Sequence, residues 1–597
     1  MVVNERISAL RGEMARHKID AYVVPSGDYH QSEYVGEHFG ARAYVTGFTG
    51  SVGTAVVAMD DAALWVDGRY YIQAEHQLEG SGVRMYKLGV DGVDTIEDYL
   101  AKTVPQGGRV GFDGRVMACE EGRRYAAKLD ELAVRVDISH DLVACIWADR
   151  PALPHNPVFS LDVKYTGEAT TSKLARLREK MRNEGATYHV VSTLDDIAWL
   201  LNLRGTETPL FLAYVIVGEY CATLYIDDSK FCRDAKIRSE LERDGFCVKP
   251  YDAVYADVAA LELGSVVLLD PERVNYSIAN AIPVGCKVVE CFNPTLLMKA
   301  CKNDTELQNI RAAHIKDGVA QTKFMHWLKT SVGKIDITEI TAGEKLTELR
   351  REQLGFIWPS FPPIVAYREH AAMMHYRAEP GTQKAIHAEH ILLTDSGGHY
   401  LEGSTDITRT YVLGEVSHEI KTHFTAVVRG MVNLSRTKFL KGVRGPNLDV
   451  IARQPLWEVG VDYKSGTGHG VGYVTTVHEA PCAIRWQIPE DRPVQPPLDA
   501  GMVLSNEPGA YVQGSHGIRI ENELIVCESH KNEHGQFMCF ETITLSPIDL
   551  DAIVPEMLLP AEKAALNAYH QQVRDTIAPY LDDEQREWLG RYTREIL

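Results

Sequence analysis

The sequence predicts an α/β (α+β) protein of three domains, two smaller ones of common design followed by a larger C-terminal one. Three observations carry this. Helix-type and strand-type hydrophobic patterns follow one another in mixed order from the N-terminus. A pattern in residues 10–24 returns 167 positions later. The stretch Asp395–Arg409 sets two aspartates eleven positions apart between strand-like flanks.

Taken in order, Ile7, Leu10 and Met14 fall on one face of a helix that begins near residue 5, and a strand follows at 21–24. The runs 51–58 and 62–67 read as strands, and 68–76 opens another helix. Leu10-Arg11-x-x-Met14 with Tyr22-Val23-Val24 recurs as Leu177-Arg178-x-x-Met181 with His189-Val190-Val191. YVTGFTGS at 44–51 has a looser counterpart in WLLNLRGT at 199–206. One offset at every closely matched position, in the same element order, points to duplication. The expected domains are 1–158, 159–297 and 298–597, with the proline-rich run 151–157 as linker. In the third segment Thr305 and Gln308 fit a capping box, ahead of Leu307, Ile310, Ala313 and His314 at helical spacing. Two closing helices are expected around Leu566, Tyr569, Val573 and Ile577 and around Trp588, Leu589, Tyr592 and Ile596, parted at Pro579. Their stripes suit core packing.

Composition narrows the partners. The chain of 597 residues exceeds a single core, and 45% hydrophobic with 24% charged content is that of a globular protein. A net charge of −20 argues against nucleic acid or an anionic membrane as partner. There is no apolar run of 18 residues, and the N-terminal run lacks a signal-peptide pattern. Eleven cysteines without CxxC pairs read as reduced thiols, so a cytoplasmic location is expected.

Asp395 and Asp406, aimed at one point by paired strands, would repel and call for a divalent cation between them. Downstream, His469 lies in a glycine-dense turn, SGTGHGVG, where backbone can come close to a ligand. Glu507 precedes a Pro-Gly turn, and Glu521 alternates with Arg519 along a strand. Each alone has an ordinary structural reading: a hydrogen-bonding histidine, a simple turn, a surface pair worth under about 1 kcal/mol.

Together, DSGGHYLEGSTDITRT, GTGHGVG with VHEAP, NEPGAY and GIRIENE resemble the metallopeptidases with a "pita-bread" catalytic domain, and His375-Tyr376 matches as well. That family includes methionine aminopeptidase, prolidase and aminopeptidase P, with creatinase as a non-metal relative. The upstream copies resemble creatinase-like N-terminal domains, and a duplicated pair is the plan of long cytosolic eukaryotic-type aminopeptidase P. WLLNLRG at 199–205 and AAHIKDG at 312–318 resemble that subgroup.

The resemblance implies a site of two Mn²⁺ ions. Asp395 would chelate one, His469 and Glu507 the other, and Asp406 and Glu521 both. It implies attack on the scissile carbonyl by a hydroxide held between the ions. Glu507 would take the proton, His478 would stabilise the oxyanion, and His375 would line the pocket for proline. Tyr511 and Arg519 would steady the site and its substrate. A homodimer through the catalytic domain is implied too. The electrostatics agree: four carboxylates within about 4 Å would cost several kcal/mol per pair at an effective dielectric near 20, and two divalent cations cancel them. One imidazole with four carboxylates suits Mn²⁺, with Co²⁺ or Zn²⁺ as alternatives.

The sequence departs from the family at Ser465, where relatives commonly carry histidine. A hydroxyl cannot shuttle protons near pH 7 as imidazole does. The expected activity is release of the N-terminal residue from Xaa-Pro peptides. The rivals are prolidase, which splits only Xaa-Pro dipeptides, and a silent relative that only binds peptide.

Overall fold

The computed structural model describes residues 2–488 and 495–597. They form two compact units, Met1–Ser160 with Glu168–Thr295, and Leu161–Gly167 with Leu296–Leu597.

The first unit holds two six-stranded sheets. β1 (Ala21–Pro25), β2 (Thr54–Ala58), β3 (Ala62–Val66), β4 (Arg84–Lys87), β5 (Arg109–Gly111) and β6 (Arg135–Asp137) lie in the order β4-β3-β2-β1-β5-β6. β7 (Val158–Ser160) pairs with β9 (Leu203–Gly205). The second sheet contains β8 (Tyr188–Val191), β10 (Ala213–Gly218), β11 (Ala222–Ile226), β12 (Phe246–Lys249), β13 (Val266–Leu269) and β14 (Lys287–Glu290). Its order, β12-β11-β10-β8-β13-β14, repeats the first. The strand senses repeat too. β1 is antiparallel to β2 and parallel to β5, as β8 is to β10 and β13.

The period of two along β1 explains why a helix can cover each face. Tyr22 and Val24 join one core with Leu10 and Met14, while Ala21 and Val23 join the other with Leu100 and Leu129. The helices Val3–His17 and Thr170–Asn183 bury Leu10 and Met14, and Leu177 and Met181, in corresponding places. The offset of 167 is therefore a structural equivalence and not a chance match. β2 starts three residues later than the expected strand, β3 ends one residue earlier, and the helix after β3 starts at Tyr71.

The longest helix of the second unit is Asp304–Ser331. Its cap is not the expected Thr305–Gln308 box. Asn303 Oδ1 accepts from the amides of Thr305 and Glu306, both at 3.0 Å, and Glu306 Oε2 accepts from the Asn303 amide at 3.0 Å. Asn303 is the better N-cap because its short amide reaches both free donors from an extended backbone.

Four sheets follow. β15 (Phe356–Pro359), β18 (Gly398–Tyr400) and β19 (Gly403–Ser404) form one. β16 (Ile364–Tyr367), β17 (Ile391–Ser396) and β20 (Ile407–Val412) form a second, antiparallel throughout. β21 (Phe439–Leu440), β22 (Gly468–Gly470), β23 (Glu479–Ile484), β24 (Val503–Asn506), β27 (Asn522–Asn532) and β28 (Gly535–Thr542) build the third, in the order β21-β28-β27-β24-β22-β23. β25 (Gly509–Val512) pairs with β26 (His516–Arg519). The closing helices are Pro560–Ile577 and Asp583–Tyr592. Val573, Ile577, Trp588 and Leu589 pack on Phe324, Met325 and Leu328 of the long helix, as their spacing predicts. Among the described residues no helix is long and apolar enough to cross a membrane.

Candidate metal centre

The two aspartates meet because β17 and β20 are paired. Asp395 faces Thr408 in the register, and Asp406 immediately precedes β20. Both are buried, at 8% and 3% exposure. Glu521, 1% exposed, lies between β26 and β27, and its amide donates to the Thr408 carbonyl at 3.1 Å. Glu507 follows the end of β24, where its amide donates to Thr467 O at 2.8 Å.

His469 sits in a strand, β22, rather than in the glycine-dense turn that the sequence suggests. The glycines on either side serve close packing instead. A Cβ at Gly468 would lie 2.0 Å from Ser505 O, and one at Gly470 2.3 Å from Glu479 O.

These residues converge. His469 Nε2 is 3.5 Å from Asp406 Oδ2 and 3.2 Å from Glu507 Oε1. One ligand atom each from Asp406, His469 and Glu521 falls within a 4.8 Å sphere of mutual distance. His469 Nδ1 lies 2.9 Å from the Gly470 carbonyl. That oxygen can only accept, so Nδ1 carries a proton, which leaves the Nε2 lone pair for a metal ion or, in the bare site, for a second proton shared with the carboxylates.

The Asp395 and Glu521 carboxylates are each oriented by one neighbour and leave an oxygen over. Arg519 Nη2 donates to Asp395 Oδ2 at 2.6 Å, and Thr408 Oγ1 to Glu521 Oε2 at 2.7 Å. The Asp406 amide donates to Glu523 Oε1 at 2.6 Å. Asp395 Oδ1, Asp406 Oδ1 and Glu521 Oε1 are buried with no hydrogen-bond donor among the described residues. Buried acceptors of this kind are costly unless a cation meets them. The donor set therefore fits two divalent metal ions.

Protonation tells the same story for the bare site. Burial, then the charges of Glu521, Asp395, Glu507 and Glu523, push the Asp406 carboxyl well above the usual carboxylate range. Burial and the charges of Glu507 and Asp395 do the same to Glu521. At His469 burial opposes the charged form, but Glu507 and Glu521 outweigh it and raise the imidazole to about 9. Protons thus stand in where metal charge is lacking.

The remaining predicted residues surround this core. Arg519 Nη1 donates to Tyr511 OH at 2.7 Å, and Arg519 Nη2 to the carbonyl of Met374, next to His375, at 3.3 Å. The His478 and His469 rings meet edge to face at 4.2 Å. Ser465 lies at the approach to β22, and its carbonyl accepts from Arg453 at 3.3 Å. Sequence reasoning missed Glu523, which accepts from the Asp406 backbone amide, and Thr408, which orients the Glu521 carboxylate. It also missed Arg409, whose guanidinium holds the carbonyls of Thr408 and Glu521 at 2.8 and 2.5 Å. All three stand inside the quoted motifs, but only the folded chain shows what they hold.

Models of the creatinase/prolidase N-terminal domain match residues 6–145 and 149–306. The metallopeptidase family M24 model matches 308–528, and that of the C-terminal region of M24 peptidases matches 536–596. "Aminopeptidase P2" of Arabidopsis thaliana is 37% identical, covering 100% of this chain and 89% of its own length. "Xaa-Pro aminopeptidase 1" of Dictyostelium discoideum is also 37% identical, covering 100% and 97%. This chain belongs to the Xaa-Pro aminopeptidase branch of metallopeptidase family M24. The crystal structure of the Caenorhabditis elegans X-prolyl aminopeptidase, described as a cytosolic enzyme with a di-nuclear active site, covers both chains completely at 33% identity and a TM-score of 0.94. The pita-bread fold and the paired creatinase-like domains of this branch are what the sequence predicts.

Proposed function

We propose that this chain is a dinuclear-metal exopeptidase that removes the N-terminal residue from peptides with proline in second position. The observation that carries this reading is the set of three buried carboxylate oxygens without donors among the described residues, from side chains gathered with an imidazole that lies 3.2 Å from a fourth carboxylate. Mn²⁺ suits these donors best, and Co²⁺ or Zn²⁺ could replace it. Asp395 would hold one ion, His469 and Glu507 the other, with Asp406 and Glu521 shared.

When bound, two such ions lower the pKa of a water and polarise a carbonyl oxygen. The chain's own residues do the rest. Glu507 accepts the proton that the attacking water releases. The His478 imidazole donates a hydrogen bond to the scissile carbonyl oxygen as negative charge develops there. His375 lines the space for the proline ring. Arg519 fixes Asp395 and Tyr511 by two donors of one guanidinium, so neither can swing away. We further propose domain boundaries near 158 and 297, a homodimer and, in keeping with the description of the worm enzyme as cytosolic, a cytoplasmic location.

The test is hydrolysis of an Xaa-Pro tripeptide against an Xaa-Pro dipeptide. Release of the first residue from the tripeptide is expected. Turnover of the dipeptide alone would make the chain a prolidase. Tight binding of two Mn²⁺ without cleavage of either would make it a peptide-binding relative.

A further inference from the structure

We propose that Lys302 and Glu479 are positioning residues that hold His478 over the metal centre, an inference that rests on the role given to His478 above. The side chains of Lys302 and Glu479 are 1% and 2% exposed and form a direct ion pair. A second ammonium, Lys299, also 1% exposed, stands 3.7 Å from the other oxygen of Glu479. Three charges so deeply buried are costly to desolvate, and well-packed apolar residues would serve stability as well or better. What the cluster specifies is a conformation.

Its connections say which one. Glu479 immediately follows His478 and opens β23. Its backbone pairs with Gly470, the neighbour of His469, so the strand bearing His469 meets the strand that begins just after His478. On the other side, the Lys302 amide donates to Gly501 O at 3.0 Å, and Cys301 bridges Met502 just before β24. β24 leads directly into Glu507. One lysine thus ties the strand approaching Glu507 to the strand leaving His478. The ring contact of 4.2 Å between His478 and His469 lies within that frame.

The test is steady-state kinetics on the Mn²⁺-loaded full chain with an Xaa-Pro tripeptide. Lys302→Met and Glu479→Gln should each lower kcat about 10- to 100-fold, with KM and the content of two metal ions unchanged. In a His478→Ala background neither change should lower kcat further, since both act through that ring. Lys302→Arg, which keeps the charge, should recover part of the loss. Glu479→Gln, which strips Lys299 and Lys302 of their shared counter-charge, should lose more activity than Lys302→Met, which leaves the Lys299–Glu479 pair. An undiminished effect in the His478→Ala background, or loss of metal, would overturn the proposal. Should Lys302→Met fail to fold, Glu479→Gln and Lys302→Arg carry the same cycle. A crystal structure of Glu479→Gln separates this proposal from the functional reading. A displaced His478 supports positioning even if no Xaa-Pro peptide is cleaved, and an unmoved one refutes it.

Discussion

At the scale of single residues, the metal centre is a set of carboxylates that repel one another until cations arrive. Asp406 has Glu521, Asp395 and Glu507 as close negative neighbours. Asp406→Asn should therefore abolish turnover and reduce bound metal below two per chain, yet leave the metal-free protein no less stable than the parent. Metal analysis and urea unfolding of chelated samples check both halves. A metal-free variant clearly weaker than the parent would show that Asp406 is needed for folding rather than for ion binding. The five proposed ligands stand out in the sequence because the motifs around them together resemble one metallopeptidase family, although each residue alone has an ordinary structural reading. Glu523 was less legible. It lies in the same motif as Glu521, but its job is to accept the Asp406 amide 117 positions away. Nothing local announces such a partner.

At the scale of elements, the start of the long helix is the clearest divergence between pattern and fold. Asn303-x-x-Glu306 and Thr305-x-x-Gln308 overlap, and spacing alone does not choose between them. The folded chain chooses Asn303, whose Nδ2 also donates to the Thr166 carbonyl at 2.8 Å. Asn303→Ala should cost about 1 kcal/mol, within a range of about 0.5–2, read as a lower urea midpoint with unchanged slope. Thr305→Ala should cost less, because its hydroxyl is not the cap. The placement of His469 has a similar lesson. Glycine density suggests a turn, whereas here it marks strands pressed so close that a methyl group would not fit. Sequence shows that the backbone is crowded there, and the partner that crowds it is visible only in three dimensions.

At the scale of the whole molecule, stability should depend on metal and on acid. With each ion at about 100 times its dissociation constant, binding adds about 2.7 kcal/mol per site, so prolonged chelation should lower the Tm and Mn²⁺ should restore it. A Tm indifferent to chelation would contradict a site built from buried carboxylates. Acid should act through buried histidines. Burial, with nearby Arg409, holds His570 down to about 3, and burial holds His189 down to about 4. Both are neutral when folded, and the Ile548 amide donates to His570 Nε2 at 3.1 Å. A depressed folded pKa gives stability that is complete above about 6.5 and is lost as pH falls toward 3 to 4. Between pH 7.5 and 5 the urea midpoint of the chelated parent should fall relative to that of chelated His570→Gln. The duplicated architecture was legible because helix and strand signatures recur at one offset, while the boundaries between domains were less so, since Leu161–Gly167 groups with the C-terminal half. The duplication also sets a hazard for synthesis on the ribosome. Two consecutive sheets of one strand order offer each emerging strand two docking places, and swapped pairings are the usual failure of tandem repeats. Divergent side chains are the safeguard. β8 carries His189, bonded to Leu268 of its own sheet, where β1 carries Tyr22, bonded to His140 in the loop after β6. Each strand is thus keyed to one nascent sheet, and sequence drift between the copies becomes a requirement for correct assembly.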